Sequence, residues 1–142
     1  MFIIDTENYQ KDAKGSYNFK GSLEGYINLI FGQFKNIVLN YFQADHSNVK
    51  SKTSLVKLIE GQLKTLKNSK DLTKEERDII KKDVKLKSII VDFFREINIL
   101  EKIEGKFELN GEQIETHSKD IEKNESYYRG RVSGFIENYS IK

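Results

Sequence analysis

The stretch Leu72-Thr73-Lys74-Glu75-Glu76-Arg77-Asp78-Ile79-Ile80-Lys81-Lys82-Asp83-Val84-Lys85-Leu86-Lys87-Ser88-Ile89-Ile90-Val91-Asp92-Phe93-Phe94-Arg95-Glu96-Ile97-Asn98-Ile99-Leu100 decides the fold of this chain. Thr73 followed by Glu76 is a capping box: the hydroxyl accepts from the N3 amide and the carboxylate reaches back to the N-cap amide. Beyond it, Ile79, Leu86, Phe93 and Leu100 fall on one helical line, with Ile80, Val84, Val91 and Phe94 beside it. Ile90 and Ile97 widen the band until it wraps most of the circumference after residue 86. A helix apolar nearly all round sits inside a bundle or at an interface. Read as one helix, the run reaches Ile103 and stops at Glu104-Gly105. Its apolar surplus marks Ile90, Phe93, Phe94, Ile97 and Leu100 as candidate protein-contact residues.

On the C-terminal side, Lys106-Phe107-Glu108-Leu109 alternates, and Asn110-Gly111 is a hairpin signal. The competing reading makes Asn110 an N-cap with Gln113 at N3. Ile114, Ile121, Tyr128 and Phe135 then recur every seven residues, which favours a helix over 111–139. On the N-terminal side, Leu23, Tyr26, Ile27, Ile30, Phe31, Phe34, Ile37, Val38, Tyr41 and Phe42 form one stripe within 22–45, with Ser22 as N-cap. Gly25 and Gly32 inside it each cost up to about 1 kcal/mol, which close helix approach would justify. Leu55, Leu58, Ile59, Leu63 and Leu66 predict a shorter helix over 53–68. The expected fold is mainly helical, a four-helix bundle-like arrangement of long helices with room for a short β-hairpin near 99–116. Residues 1–21 read as an ill-defined segment, where Phe2-Ile3-Ile4 is a strand or an apolar plug and Gly15 and Gly21 mark loop. Residues 22–142 read as a single helical domain.

The 142 residues hold no Pro and no Cys. The first fits long helices with short connections; the second removes disulfides, thiolate metal sites and Cys nucleophiles. Seventeen Ile and sixteen Phe plus Tyr require burial, so the 32% charged residues do not make this a disordered polyelectrolyte. Met1-Phe2-Ile3-Ile4-Asp5 lacks the basic residues and long apolar run of a secretion signal, and no run approaches the ~20 apolar residues of a spanning helix. The expectation is a cytoplasmic protein without a membrane partner. Twenty Lys against four Arg, with seventeen Ile and two Ala, indicate an AT-rich gene of the kind carried by low-GC bacteria, their phages and plasmids.

Groups for catalysis are not gathered anywhere in the sequence. His46 and His117 are far apart, and neither has a second His at helical spacing for zinc. His46 reads as a helix-end residue and His117 as solvated. There is no phosphate-binding glycine loop and no nucleophile elbow. Glu112, Glu115, Asp120, Glu122 and Glu125 read as a solvated face. Glu104-Gly105-Lys106 with Asp92 upstream has the acid–x–Lys spacing of metal-dependent nucleases, but a flexible turn explains it. The expectation is a protein that is not an enzyme and takes no cofactor, no metal and no small-molecule substrate.

Charge is unevenly placed. Residues 47–89 hold twelve basic and six acidic groups, net +6, between blocks of net −1 and −3. Lys81, Lys82, Lys85 and Lys87 are candidate nucleic-acid contacts in this block, and Arg129 and Arg131 beside Tyr127 and Tyr128 are a second set. Leu72-Thr73 with Glu75 and Glu76, then Val84, Ser88, Ile89 and Phe93, then Ile99 to Leu109, resemble a winged helix-turn-helix. The resemblance spans about forty residues. It implies a first helix over 74–82, a turn near 83–87, a recognition helix over 88–97 and a wing over 99–109. Two functional expectations follow. One is a helical binding protein acting through protein contacts or self-association, of the accessory, inhibitor, immunity or adaptor type. The other is a small winged-helix-like regulator that binds nucleic acid through the 47–89 block, and it requires a chain break near 83–87.

Overall fold

The computed structural model describes residues 10–11, 17–18, 23–41 and 52–138. The readings of Phe2–Ile4, Ser22, Phe42 and His46 lie outside the described residues. Two-residue strands β1 (Gln10–Lys11) and β2 (Tyr17–Asn18) pair antiparallel within the segment read as ill-defined. The rest is mainly helical with one short hairpin: α1 (Leu23–Tyr41), α2 (Lys52–Leu66), α3 (Lys74–Lys82), α4 (Leu86–Glu96), β3 (Leu100–Ile103), β4 (Lys106–Leu109), α5 (Gly111–Asp120) and α6 (Glu125–Asn138). No helix among the described residues is long and apolar enough to cross a membrane.

The apolar stripe of α1 makes it the central helix, packed against α3, α4, α5 and α6. Phe34, fully buried, receives the edges of Phe93 and Phe94 at ring-centroid distances of 5.4 and 5.8 Å and lies 5.4 Å from the Tyr128 ring. Such pairs add about 0.5–1.5 kcal/mol beyond area burial. Gly25 explains itself here, since a Cβ on it would meet Ile79 Cδ1 at 2.9 Å. A side chain at that position would force the buried end of Ile79 to move. Gly32 has no such neighbour: nothing lies within 4 Å of its Cβ direction.

The capping box of α3 is formed, with Thr73 Oγ1 accepting from the Glu76 amide at 3.1 Å and Glu76 Oε1 accepting from the Thr73 amide at 3.1 Å. The single helix expected from Thr73 to Ile103 is not. It breaks after Lys82, restarts at Leu86 and ends at Glu96, and a hairpin takes its last quarter. At Asp83 the backbone leaves the helix at ψ 98°, after its amide closes the last turn on Ile79. The Asp83 side chain accepts from the Tyr26 hydroxyl of α1 at 2.5 Å and from the Lys85 amide at 2.8 Å. The periodicity runs on through Leu86, but a carboxylate held from α1 and turned onto its own backbone outweighs it.

Helix α4 ends in a Schellman motif. Asn98 adopts φ 65°, its amide bonds to Arg95 O at 3.0 Å, and the Ile99 amide bonds to Phe94 O at 3.0 Å. The hairpin pairs Leu100 with Leu109 and Ile103 with Lys106, so its two-residue turn is Glu104-Gly105, both at positive φ. Asn110-Gly111 is the other signal: Asn110 Oδ1 caps α5 by accepting from the Gln113 amide at 3.1 Å. The helix expected over 111–139 is likewise divided. Asn124 bonds through its side chain to Asp120 and through its amide to Asp120 O, closing α5 and starting α6 at Glu125. Ile114, Ile121 and Tyr128 still reach the core.

Candidate nucleic-acid interface

The break and the hairpin divide residues 74–109 among α3, the turn 83–85, α4 and the β3–β4 hairpin, with β3 packed on α4 and β4 on α2. Lys81 and Lys82 are exposed at the C-terminal end of α3, and Lys85 is half-buried in the turn. Val84 projects there, 74% exposed. Along α4, Leu86, Ile89, Ile90, Val91, Phe93 and Phe94 face inward, leaving a narrow polar stripe of Ser88, Asp92 and Arg95. The guanidinium of Arg95 lies 4.6 Å from the centroid of Phe107 on β4, and Lys52 of α2 lies 5.5 Å from the same ring. These cation–π contacts fasten Phe107 of the hairpin to α4 through Arg95 and to α2 through Lys52. Lys102 and Lys106 are exposed on the hairpin.

Of the six acidic residues in 47–89, Glu76 and Asp83 are buried and used inside the fold, and Glu60 pairs with Lys87 at 2.9 Å. Lys57, Lys64, Lys67, Lys70, Lys74, Lys81 and Lys82 are exposed, as are Asp71 and Glu75.

The other candidates fall elsewhere. Ile90, Phe93 and Phe94 are fully buried, and Ile97 and Leu100 are 2% exposed, all within this chain's own core. Their apolar surface is covered within this chain, where the inward face of α4 and the residues that follow it pack against α1, α2 and α6. Arg129 is engaged with Glu24 at 2.9 Å and with Asn28, and sits 5.6 Å from the Phe31 ring centroid, so it ties α6 to α1. Arg131 donates to Tyr127 Oη at 3.1 Å on the same helix. Glu104-Gly105 is the exposed hairpin tip, and Asp92 faces Arg95 at 3.9 Å, so the acid–x–Lys spacing gathers no carboxylate pair there. Among the described residues no group of three or more His, Asp or Glu is placed to hold a metal. Of the five carboxylates read as a solvated face, Glu112, Glu115 and Glu122 are exposed, Asp120 is half-buried and Glu125 pairs with Lys35; Glu122 lies in the turn between α5 and α6.

His117 differs from its reading as a solvated residue. Its Nε2–H donates to Ile97 O at 3.2 Å, which leaves Nδ1 to accept the Tyr128 hydroxyl at 2.8 Å. Burial holds the imidazole below its usual pKa of 6.5, against the opposing bond to Ile97. Burial likewise pushes the Tyr128 hydroxyl up to about 12. This junction joins the end of α4 to α5 and α6. Sequence spacing carries no sign of it, because the partners come from three elements. Comparisons of the chain with protein-family models, with curated proteins and with solved structures give no match.

Proposed function

We propose that this protein is a small, winged-helix-like regulator that binds duplex nucleic acid with α4 and the β3–β4 hairpin. The observation that carries the reading is the succession of α3, a three-residue break, α4 and a two-stranded hairpin over 74–109. That succession was required by the winged helix-turn-helix resemblance and is foreign to a continuous helix. In this arrangement α4 is the reading helix. Lys81, Lys82 and Lys85 contact phosphates, which position the protein without reading sequence. Ser88 and Arg95 are the polar side chains that reach base edges; an Arg held in one orientation suits the acceptor pair of guanine. Lys102 and Lys106 place the hairpin against the neighbouring backbone. Work on duplex nucleic acid places the protein in the cytoplasm of its host.

Fluorescence anisotropy with a labelled 30-base-pair duplex tests the reading at several salt concentrations. Binding tightens as salt falls, with a slope of log affinity on log salt of about −0.9 per phosphate contacted. The triple substitution Lys81→Gln, Lys82→Gln, Lys85→Gln makes that slope shallower by about three and weakens all sequences alike. Arg95→Ala alters sequence preference instead. Absence of any duplex binding at low salt, or an unchanged slope in the folded triple variant, would rule the reading out.

A further inference from the structure

We propose that the groove between α1 and α2 binds an uncharged, mainly apolar small molecule that presents N–H or O–H donors to the carboxamides of Gln33 and Gln62. The site is separate from the α4–hairpin surface. The groove holds about 590 Å³, within the range of small-molecule pockets. Leu29 on α1, Leu58 and Leu66 on α2, and Leu72 after it give apolar walls. Gly32 and Gly61 line the groove from the two helices, and a Cβ on either would meet nothing within 4 Å. Both positions are inside helices, where glycine is unfavourable, and no backbone approach occupies the space they leave.

Two polar groups in this lining lack a partner. Gln33 is 3% exposed, and its Oε1 is buried without a hydrogen bond; Gln62 Oε1 is in the same condition. Buried acceptors are almost always paired in native proteins, since each unpaired one forfeits its hydration. The terminal torsion of a glutamine is soft, so a turn of the carboxamide offers either group to an occupant. The neighbouring polar side chains are already used. Asn28 accepts from Arg129, Asn36 accepts from Asn40, and Glu76 is bound to the Thr73 amide. Lys57 and Glu76 line it with opposite charge, which favours a neutral ligand.

Full-length protein titrated with indole, and separately with indene, tests the site. The two share a bicyclic frame, but indene carries CH₂ where indole carries N–H. Indole saturably shifts the side-chain amide resonances of Gln33 and Gln62 in ¹H–¹⁵N spectra, and indene binds about tenfold more weakly, the worth of one hydrogen bond. Gly32→Leu and, independently, Gly61→Leu fill the groove and abolish binding while the remaining spectrum stays that of the folded protein. Gln33→Leu with Gln62→Leu erases the preference for indole over indene. The proposal is overturned if indole leaves both glutamine amides unmoved, if the two probes bind equally, or if either folded glycine variant binds indole undiminished.

Discussion

Replacing Tyr26 by Phe removes one hydroxyl and leaves the ring that fills the core. That hydroxyl is buried and donates to Asp83 Oδ2 at 2.5 Å, joining α1 to the residue where α3 ends. A hydrogen bond to a charged acceptor contributes about 1.5–3 kcal/mol net. Asp83 keeps the Lys85 amide after the substitution, so a loss of about 2 kcal/mol is expected, with part of the carboxylate's solvation now unmet. For a chain of this length that corresponds to a fall in Tm of about 7 °C. Urea denaturation of wild type, Tyr26→Phe, Asp83→Asn and the double variant forms a complete cycle. The coupling between the two positions is expected at about 1–2 kcal/mol. If the two substitutions add with a coupling under about 0.5 kcal/mol, the Tyr26–Asp83 bond does not hold the break, and the explanation given for the division of α3 from α4 fails.

Stability depends on pH at two limbs. His117 binds its proton more weakly in the folded chain than the ordinary 6.5, so its contribution is present above that value and is lost as pH falls. The Tyr128 hydroxyl, raised to about 12 from 10, contributes fully below pH 10 and is lost as pH rises toward 12. Thermal unfolding between pH 5 and 7 should slope downward toward acid, and His117→Gln should flatten that limb; an unchanged slope would contradict the buried neutral imidazole. Gly32→Ala should stabilise by about 0.5–1 kcal/mol, since helix propensity is gained in open space. Gly25→Ala should fall below wild type, because its Cβ meets the buried Ile79 at 2.9 Å; equal gains at both positions in urea melts would refute the close α1–α3 approach. Gly105→Val, at φ 85° in the hairpin turn, should cost about 1–2 kcal/mol with no change in the described core, measured the same way.

The sequence by itself determined the helical class, because apolar spacing is a local property that survives any packing arrangement. It also determined the Thr73–Glu76 capping box and the Asn110 cap, whose partners lie three residues away. Tertiary structure decided where the helical runs stop. Asp83 leaves the helix against the periodicity because Tyr26, fifty-seven residues earlier, holds its carboxylate, and no local pattern encodes that partner. The fate of Ile90, Phe93 and Phe94 was equally non-local. A band that wraps a helix demands burial, but only the packing of α1 beside α4 shows that this chain buries it alone. The groove was invisible for the same reason: Gln33 and Gln62 sit in separate helices with ordinary polar neighbours. Their missing partners emerge only when α1 and α2 are set on the two sides of one groove.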